Sequence, residues 1–254
     1  MILSIVIPAH NEERCIEETV INLARAFEEA KLDSEILIIN DNSTDRTEEI
    51  LKNLETRYEP VKYLNNRFPQ GFGFAIRFGL ENFSGDAVAI VMADSSESPQ
   101  DVVMFFKKLE EGYDCIFGSR FIKGGKTHNY PVFKLLVNRF ANLFISILFG
   151  VRYNDTTNAF KMYRRQTIEG LKPFLSHHFN LTVELPLKAI SRGYSFAVLP
   201  NTYTNRTAGE SKLKIKEMGS RYLFIVLYCL IEKWLSLGDY KKDKIQPDTD
   251  GDIK

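Results

Sequence analysis

The first 118 residues alternate short apolar strands with amphipathic helices, and this alternation constrains the fold more than any other feature of the chain. Runs rich in β-branched and aromatic residues predict strands at residues 3–8, 35–40, 61–64, 87–92 and 115–118. Apolar residues at helical spacing predict helices at residues 12–30, 44–57, 74–83 and 99–111. The pattern therefore predicts an α/β, Rossmann-like fold, in which a mostly parallel sheet carries helices on both faces.

Sheets of this kind bind ligands beyond the carboxyl ends of their strands, so the loops after the strands form the candidate site. Three of these loops, at residues 8–12, 41–47 and 94–97, carry carboxylate or amide groups suited to a base, a ribose or a divalent cation. Helix capping also explains each loop alone, but three such loops on neighbouring strands favour a ligand site. A fourth loop, with Gly71 and Gly73, suits either phosphate binding or a tight turn.

Charge is unevenly distributed along the chain, although 33 Lys and Arg balance 33 Asp and Glu overall. Residues 1–114 carry 22 acidic and 11 basic side chains, whereas residues 115–254 carry 11 acidic and 22 basic ones. This asymmetry predicts that the two halves bind different groups. Residues 115–154 contain no acid, and their bases suit an anionic ligand or, alternatively, a solvated surface: Arg120, Lys123, Lys126, Lys134, Arg139 and Arg152.

Two apolar segments of the basic half predict helices next to positive charge. One is residues 222–237, and the other, residues 133–149, presents an apolar face made of Phe133, Leu136, Phe140, Phe144 and Leu148. Such helices favour a membrane interface, while packing into the core or a dimer interface is the alternative. The longest unbroken apolar run, residues 222–231, is shorter than the ~20 residues of a span, so we expect no bilayer crossing.

Composition narrows the class of protein further. With 44% hydrophobic and 26% charged residues, the chain is typical of a globular protein rather than a disordered or fibrous one. Its three cysteines are far apart and lack the spacing of a zinc site, which favours a reducing compartment. The amino terminus lacks the basic segment of a signal peptide, so we interpret residues 3–8 as a buried first strand.

Six motifs, in order along the chain, resemble those of a known family. The first three resemble the family 2 inverting glycosyltransferases of the GT-A fold, and they lie at residues 5–12, 41–47 and 71–75. The last three are similar to the polyprenyl-phosphate glycosyltransferases of the dolichyl-phosphate mannose synthase type, and they lie at residues 118–125, 155–160 and 206–212. The Arg-x-x-Gly-x-Ser-Lys sequence of the last motif is the most specific of the set.

The resemblance implies a role for each matching residue. A nucleotide-sugar donor would be bound by Pro8, Asn11, Glu12, Asp41, Gly71, Gly73, Ala93, Asp94 and Lys212. The phosphate of a polyprenyl-phosphate acceptor would be bound by Arg120, Lys134, Asn138, Arg206 and Ser211. Asp94 would hold Mg²⁺ or Mn²⁺, and the catalytic residues would be Asp94, Arg120 and Arg206.

This chemistry makes physical sense for the residues present. The oxygen of a phosphate monoester is already ionised at neutral pH, so its attack needs no general base. The site must instead hold two anions, the donor diphosphate and the acceptor phosphate, close enough to react. A cation and several Arg or Lys side chains overcome that repulsion, and the acid-free residues 115–154 supply such bases.

Two positions depart from the family pattern. The usual Asp-x-Asp of the metal loop is Met92-Ala93-Asp94 here, and the usual Asp-Asp is Asn40-Asp41. One carboxylate together with substrate phosphates can hold a hard cation, and Glu97 is a candidate second ligand. The missing acid leaves open a different donor or a non-catalytic protein that binds nucleotide sugars.

We therefore predict a GT-A domain at residues 1–210, an amphipathic membrane-interface helix at 211–237 and a disordered polar tail at 238–254. The predicted function is transfer of a sugar, with inversion, from a nucleotide sugar to a polyprenyl phosphate by a peripheral protein on the cytoplasmic face of a membrane. No nucleic-acid partner is expected, and a homo-oligomer is left open. The alternative enzyme would act on a sugar or protein hydroxyl in cell-envelope glycan synthesis and would need a carboxylate base, for which Glu184 is the candidate.

Overall fold

A computed structural model describes residues 1–204 and 215–245. Its strands are β1 (Leu3–Ala9), β2 (Ser34–Asn40), β3 (Val61–Asn65), β4 (Ala87–Ile90), β5 (Cys115–Ser119), β6 (Lys126–His128), β7 (Lys161–Arg164), β8 (Phe196–Pro200) and β9 (Thr202–Thr204). Its helices are α1 (Ile16–Ala30), α2 (Thr47–Arg57), α3 (Phe72–Asn82), α4 (Pro99–Glu110), α5 (Val132–Phe149), α6 (Arg165–Gly170), α7 (Leu181–Ser191), α8 (Ile215–Leu235) and α9 (Lys242–Ile245).

The predicted α/β fold with a mostly parallel sheet is confirmed. One seven-stranded sheet has the order β3-β2-β1-β4-β7-β5-β8, and β6 pairs separately with β9. Every pairing within the seven strands is parallel except those of β7, which runs antiparallel between β4 and β5. Since β7 was not predicted from the pattern, its insertion is the main difference from the expected sheet.

Apolar side chains are buried on both faces of the sheet, which explains the near-continuous apolar strands. Ile5 and Ile7 of β1 pack on one face with residues of α1, α2 and α4. Val6 packs on the opposite face with residues of α3, α6 and α7. The alternation follows from the two-residue repeat of a strand, and it leaves the carboxyl ends of the strands open between the two helical layers.

Helices α1 and α2 begin later than the sequence predicts, at Ile16 and Thr47. The residues before them form two turns that bind each other instead. Asn11 takes a positive φ of 55° and its backbone N–H donates to Ser43 Oγ (3.1 Å), while the Glu12 N–H donates to Thr47 Oγ1 (2.9 Å). These contacts fix the loops after β1 and β2 next to each other.

The amphipathicity of α5 is inverted. Its polar residues face the domain: Asn138 Nδ2 donates to Thr157 Oγ1 (2.6 Å), and Arg139 Nη1 donates to the carbonyl of Asn154 (3.0 Å). Its apolar residues face outward, and the exposed ones are Val132, Phe133, Leu136, Val137, Phe140, Leu143, Phe144 and Ile147. Leu148 was predicted on this face, but it packs instead against the buried apolar residues where α5, α7 and α8 meet. Packing of the whole apolar face into the core is therefore excluded.

Helix α8 packs beside α5 and also exposes large apolar side chains, namely Leu223, Phe224, Leu227, Ile231, Trp234 and Leu235. Its opposite face is buried against α7 and α5 through Ile225, Val226 and Cys229. Among the helices of the described residues, only α5 is long and apolar enough to cross a membrane. The prediction that no segment crosses a bilayer was based on the length of unbroken apolar runs. Polar residues interrupt the apolar run of α5, so this criterion did not detect it.

Structure continues past residue 237, where the sequence predicts a disordered tail. Residues 238–245 form a turn and the short helix α9, whose Lys242 Nζ lies 3.0 Å from both carboxylate oxygens of Asp114. The Lys242 N–H also donates to the carbonyl of Arg192 (2.8 Å). The predicted boundary is therefore corrected for residues 238–245, and the remainder of the tail, 246–254, lies outside the described residues.

Candidate functional site

A cleft of about 740 Å³ lies at the carboxyl ends of β1, β2, β4 and β5, where the sequence predicts the site. Of the predicted site residues, the structure brings together in its wall Pro8, Glu12, Asp41, Gly71, Asp94, Arg120 and Lys134. They come from loops far apart in sequence, and they meet because the parallel strands end at one edge of the sheet. The cleft is therefore the candidate active site.

Asp41 anchors the glycine loop on the side of the cleft formed by β1 and β2. Its Oδ2 accepts the Gly71 N–H (2.9 Å), and its Oδ1 accepts from Asn66 Nδ2 (2.8 Å). Asp41 is almost fully buried, with 4% of the residue's surface exposed. Asp41 thus shapes this wall by fixing the loop that contains Gly71, and Pro8 and Glu12 complete the same wall.

His10 and Gln70 also line this side, and neither was predicted as a site residue from the sequence. His10 Nδ1 lies 2.7 Å from the carbonyl oxygen of Asp41, so this nitrogen carries the proton and donates it. The second nitrogen, Nε2, then accepts from Gln70 Nε2 at 2.9 Å. Their positions in the sequence could have indicated this role, because His10 lies within the 8–12 loop and Gln70 directly precedes Gly71.

Three residues predicted to bind the donor are not among the residues that line the cleft. Asn11 Oδ1 accepts the Thr44 N–H (2.8 Å), and the buried Ala93 accepts from Thr19 Oγ1 (2.8 Å) through its carbonyl. Gly73 packs so closely that a Cβ there would lie 2.4 Å from the carbonyl carbon of His177. All three support the loops of the cleft through contacts with other protein groups.

Asp94 and Glu97 form the acidic part of the cleft. Asp94 Oδ1 accepts from the N–H of Ser96 (3.2 Å) and from its hydroxyl, and Glu97 Oε2 accepts the Met92 N–H (3.0 Å). Burial, together with the nearby charge of Asp94, raises the pKa of Glu97 to about 8. A divalent cation bound by Asp94 and Glu97 would balance the charge of Asp94. It would thereby remove one of the two causes of the raised pKa of Glu97.

The donor set fits a cation that is completed by substrate. Within residues 1–204 and 215–245, no three His, Cys, Asp or Glu side chains form a group able to hold a metal ion. Mg²⁺ is commonly bound through one or two carboxylates plus substrate phosphates, and Asp94 with Glu97 matches that arrangement. These two residues would hold the metal together with a donor diphosphate.

Arg120 lies at the opposite, basic side of the cleft, directly after β5. Asp155 binds it in bidentate fashion, with Nη2–Oδ1 and Nε–Oδ2 distances of 2.7 and 2.8 Å. The rings of Tyr130, Tyr203 and Phe121 surround the guanidinium, each with its centroid 5.3–5.4 Å from the guanidinium carbon. Burial alone lowers the pKa of Arg120, but the hydrogen bonds and charge of Asp155 raise it above its usual value, so the cation is permanent.

Two further cations line the basic side, Lys134 of α5 and Arg221 of α8. Asn138, predicted here as well, contacts the cleft indirectly, because its amide binds Thr157, which lines the cleft. The remaining predicted residues, Arg206, Ser211 and Lys212, lie outside the described residues. No local sequence pattern predicted Tyr130, Tyr203 or Arg221 as site residues. Asp155, in contrast, belongs to the motif at residues 155–160.

Glu184, the candidate base of the alternative enzyme, is not in the cleft. It is fully buried in α7, where its oxygens accept the N–H groups of Leu175 (2.8 Å) and Ser176 (2.7 Å). Lys188 Nζ neutralises it at 2.6 Å. The sequence prediction for this residue is therefore wrong: the acid ties α7 to the preceding loop.

The chain is similar to known glycosyltransferases. The family model "Glycosyl transferase family 2" matches residues 4–172. A dolichol-phosphate mannosyltransferase of Pyrococcus furiosus is 32% identical over 221 residues, which cover 85% of this chain and 60% of that protein. A polyprenol monophosphomannose synthase of Mycolicibacterium smegmatis is 28% identical over 215 residues, covering 82% of this chain and 80% of that protein.

A solved structure shares the fold. Glucosyl-3-phosphoglycerate synthase of Mycobacterium tuberculosis, in complex with Mn²⁺, uridine diphosphate and glucosyl-3-phosphoglycerate, superposes with a TM-score of 0.67 at 19% identity, covering 91% of this chain and 79% of that one. Another complex of the same synthase contains Mg²⁺ and uridine diphosphate. The predicted GT-A fold is confirmed, and since the family model matches more than half of the residues, the chain belongs to glycosyl transferase family 2.

Proposed function

We propose that this protein transfers a sugar from a nucleotide-diphosphate sugar to a polyprenyl phosphate, with inversion at the anomeric carbon. One observation carries the proposal: the cleft has an acidic side at Asp94 and Glu97 and a basic side at Arg120, Lys134 and Arg221. The last two of these cations lie on α5 and α8, the helices with exposed apolar faces. A phosphate attached to a long apolar chain fits that combination.

The donor is assigned to the side with Pro8, Glu12 and Asp41. The β1 and β2 loops, with His10 and Gln70, provide hydrogen-bonding groups for a base and ribose. Asp94, with Glu97, would hold Mg²⁺ or Mn²⁺ on the diphosphate, where the metal neutralises the charge of the leaving group. The relatives named as mannosyltransferases support this donor class.

The acceptor phosphate is assigned to Arg120, Lys134 and Arg221. Asp155 and the surrounding rings hold the Arg120 guanidinium in one orientation, as positioning of an anion requires. The attacking oxygen of a phosphate monoester is ionised at neutral pH, so the site needs cations and positioning and no base. The burial of Glu184 away from the cleft supports the same choice over a hydroxyl acceptor.

The apolar faces of α5 and α8 are assigned to a membrane surface. The polar contacts of Asn138 and Arg139 keep one side of α5 on the domain, so the helix can insert its outer face without crossing the bilayer. Trp234, exposed near the end of α8, is a residue type that favours the membrane interface. A peripheral position on the cytoplasmic face, where nucleotide sugars are made available, completes the proposal.

The test is transfer by the purified protein with labelled nucleotide sugars, with and without Mn²⁺. The acceptors are polyprenyl phosphate, the matching polyprenol without phosphate, and 3-phosphoglycerate. Of the three acceptors, we expect only polyprenyl phosphate to give labelled product in the organic phase. We also expect this transfer to depend on the metal. Transfer to a polyprenol hydroxyl or to phosphoglycerate would overturn the acceptor, and donor binding without transfer to any acceptor would indicate a non-catalytic nucleotide-sugar-binding protein.

A further inference from the structure

Lys161 is a buried cation at the centre of the sheet, and the function proposed above does not use it. It begins β7 and pairs with Ile90 of β4 on one side and Phe117 of β5 on the other. Those two strands lead to the loops that carry Asp94 and Arg120. Lys161 is 1% exposed, so its ammonium group lies beneath the cleft rather than in it.

The ammonium of Lys161 joins two parts of the cleft wall. It donates to the carbonyls of Thr156 (3.1 Å) and Asn158, both in the loop that lines the basic side. It also donates to the carbonyl of Thr182 (3.0 Å), which lies in the first turn of α7 and lines the cleft from another direction. A single group therefore fixes the distance between the 155–159 loop and α7.

The same loop holds Arg120. Asp155, one residue before Thr156, makes the bidentate ion pair that orients the guanidinium, and Asn158 Nδ2 donates to the carbonyl of Gly118 (3.0 Å). A shift of the loop would therefore move Arg120. Positioning errors of about 1 Å can cost about 100-fold in rate.

Lys161 differs from Lys188, which is also fully buried, in a way that points to function. Lys188 forms an ion pair with Glu184, so its charge is compensated locally. The hydrogen bonds of Lys161 within the described residues go to main-chain carbonyls, and burial lowers its pKa to about 7. Burying a lysine in this way is costly, and an apolar side chain would usually be more stable.

We propose that Lys161 is a positioning residue for sugar transfer, and that it acts by holding the 155–159 loop and α7 together around the acceptor phosphate. The inference rests on the proposed function, because it assigns this wall to the acceptor. It predicts that loss of the ammonium weakens use of the acceptor far more than use of the donor, which lies on the other side of the cleft.

The experiment compares Lys161→Met with Lys188→Met in the full-length protein, with polyprenyl phosphate and the nucleotide sugar that the wild type uses. Thermal unfolding gives the folded fraction of each variant. Per folded molecule, we expect Lys161→Met to lose about 10- to 100-fold in kcat/KM for polyprenyl phosphate, with a donor KM within about twofold of wild type. Lys188→Met, matched in burial, should lose stability but keep its acceptor kcat/KM.

Equal acceptor kcat/KM for the two variants would overturn the inference, as would an equal rise of donor and acceptor KM in Lys161→Met. If Lys161→Met does not fold, Lys161→Arg decides instead, because a planar guanidinium keeps the charge but cannot direct its donors to the same three carbonyls. We then expect a raised acceptor KM, and an unchanged one overturns the inference. A wild type without polyprenyl-linked product would instead reject the proposed function itself.

Discussion

Arg120 and Asp155 form a bidentate ion pair within the wall of the cleft, with Nη2 2.7 Å from Oδ1 and Nε 2.8 Å from Oδ2. The Arg120 backbone N–H donates to the same carboxylate at 3.0 Å. One acid thereby fixes both the main chain and the side chain of the arginine. In the proposed function this rigid placement matters, because a guanidinium that is fixed in advance can meet the acceptor phosphate without first reorganising.

We expect Asp155→Asn to lower the free energy of unfolding by about 3 kcal/mol, because it leaves a buried guanidinium without its counter-charge. It should also lower kcat/KM for the acceptor about 100-fold, because Arg120 loses its fixed orientation. Denaturant unfolding and steady-state kinetics measure the two effects separately.

The matched control is Glu232→Gln. Glu232 binds Arg192 with the same bidentate geometry, at 2.7 and 2.8 Å, but neither residue lines the cleft. Its variant should lose comparable stability and keep its activity per folded molecule. Equal loss of activity in both variants would show that the Arg120 pair is merely structural.

The location of the site could be predicted because it depends on a general property of parallel sheets. Pro8 lies near the carboxyl end of β1, and Asp41 and Asp94 lie in the loops after β2 and β4. Strands that run in the same direction end at one edge of the sheet, so these residues meet there. The alternation of apolar residues was enough to identify those strands, and their order in the sheet was not needed.

Other parts of the site depend on contacts that no local pattern records. The antiparallel insertion of β7 brings Asp155 to Arg120, and the β6–β9 pairing brings Tyr203 there. Asn11 and Gly73 were assigned to a ligand because they lie in the correct loops, and the structure shows contacts that the sequence did not reveal: Asn11 binds the Thr44 N–H, and Gly73 packs against the main chain at His177. Sequence position identifies a loop, while the direction of each side chain is decided by packing.

Gly73→Ala should disturb the cleft, because its Cβ would lie 2.4 Å from the His177 carbonyl carbon and 2.5 Å from the His178 nitrogen. We expect a loss of about 2 kcal/mol in the free energy of unfolding and a weaker affinity for the nucleotide sugar, since His178 lines the cleft. Gly219→Ala is the control: it lies in α8 with open space around it, and alanine there should stabilise the helix by about 0.5–1 kcal/mol. Unchanged stability in Gly73→Ala would contradict the close packing.

Asp94→Asn should abolish most of the metal-dependent activity, with a loss of at least about 100-fold at saturating Mn²⁺, because it removes one of the two carboxylates proposed to hold the metal. Isothermal titration of Mn²⁺ in the presence of nucleotide diphosphate measures the lost affinity directly. Asp86→Asn is the control, since Asp86 precedes β4 at the opposite edge of the sheet and binds the Ile2 N–H. Wild-type metal dependence in Asp94→Asn would remove this residue from the metal site.

Glu97 should make the stability of the metal-free protein depend on pH. Its pKa is raised to about 8 by burial and by Asp94, from the ordinary value of 4.5. Between these values the folded state holds a proton that the unfolded state has lost. The free energy of unfolding should therefore fall as pH rises through this window, by at most about 1.4 kcal/mol per pH unit.

Urea unfolding of wild type and Glu97→Gln at several pH values between 5 and 8, in the presence of a chelator, tests this expectation. The variant has no proton to lose, so the free energy of unfolding of Glu97→Gln relative to that of the wild type should rise with pH. Glu49→Gln, at an exposed position of α2, serves as the control and should follow the wild type. Parallel curves for Glu97→Gln and wild type would mean that Glu97 is already ionised in the folded protein.

The exposed face of α5 should carry much of the attachment to membranes. Phe140 and Ile147 are 74% and 70% exposed, so replacing both with Ser should leave the free energy of unfolding nearly unchanged. Each apolar side chain contributes about 1.5–3 kcal/mol when fully buried, so the loss of two should weaken vesicle binding by at least about 100-fold. Cosedimentation with vesicles that contain anionic lipid measures it, and Met104→Ser, on α4 at the opposite face of the sheet, is the control. If the double variant keeps its vesicle binding but converts a dimer to a monomer in sedimentation analysis, this face is instead the contact between two copies of the chain.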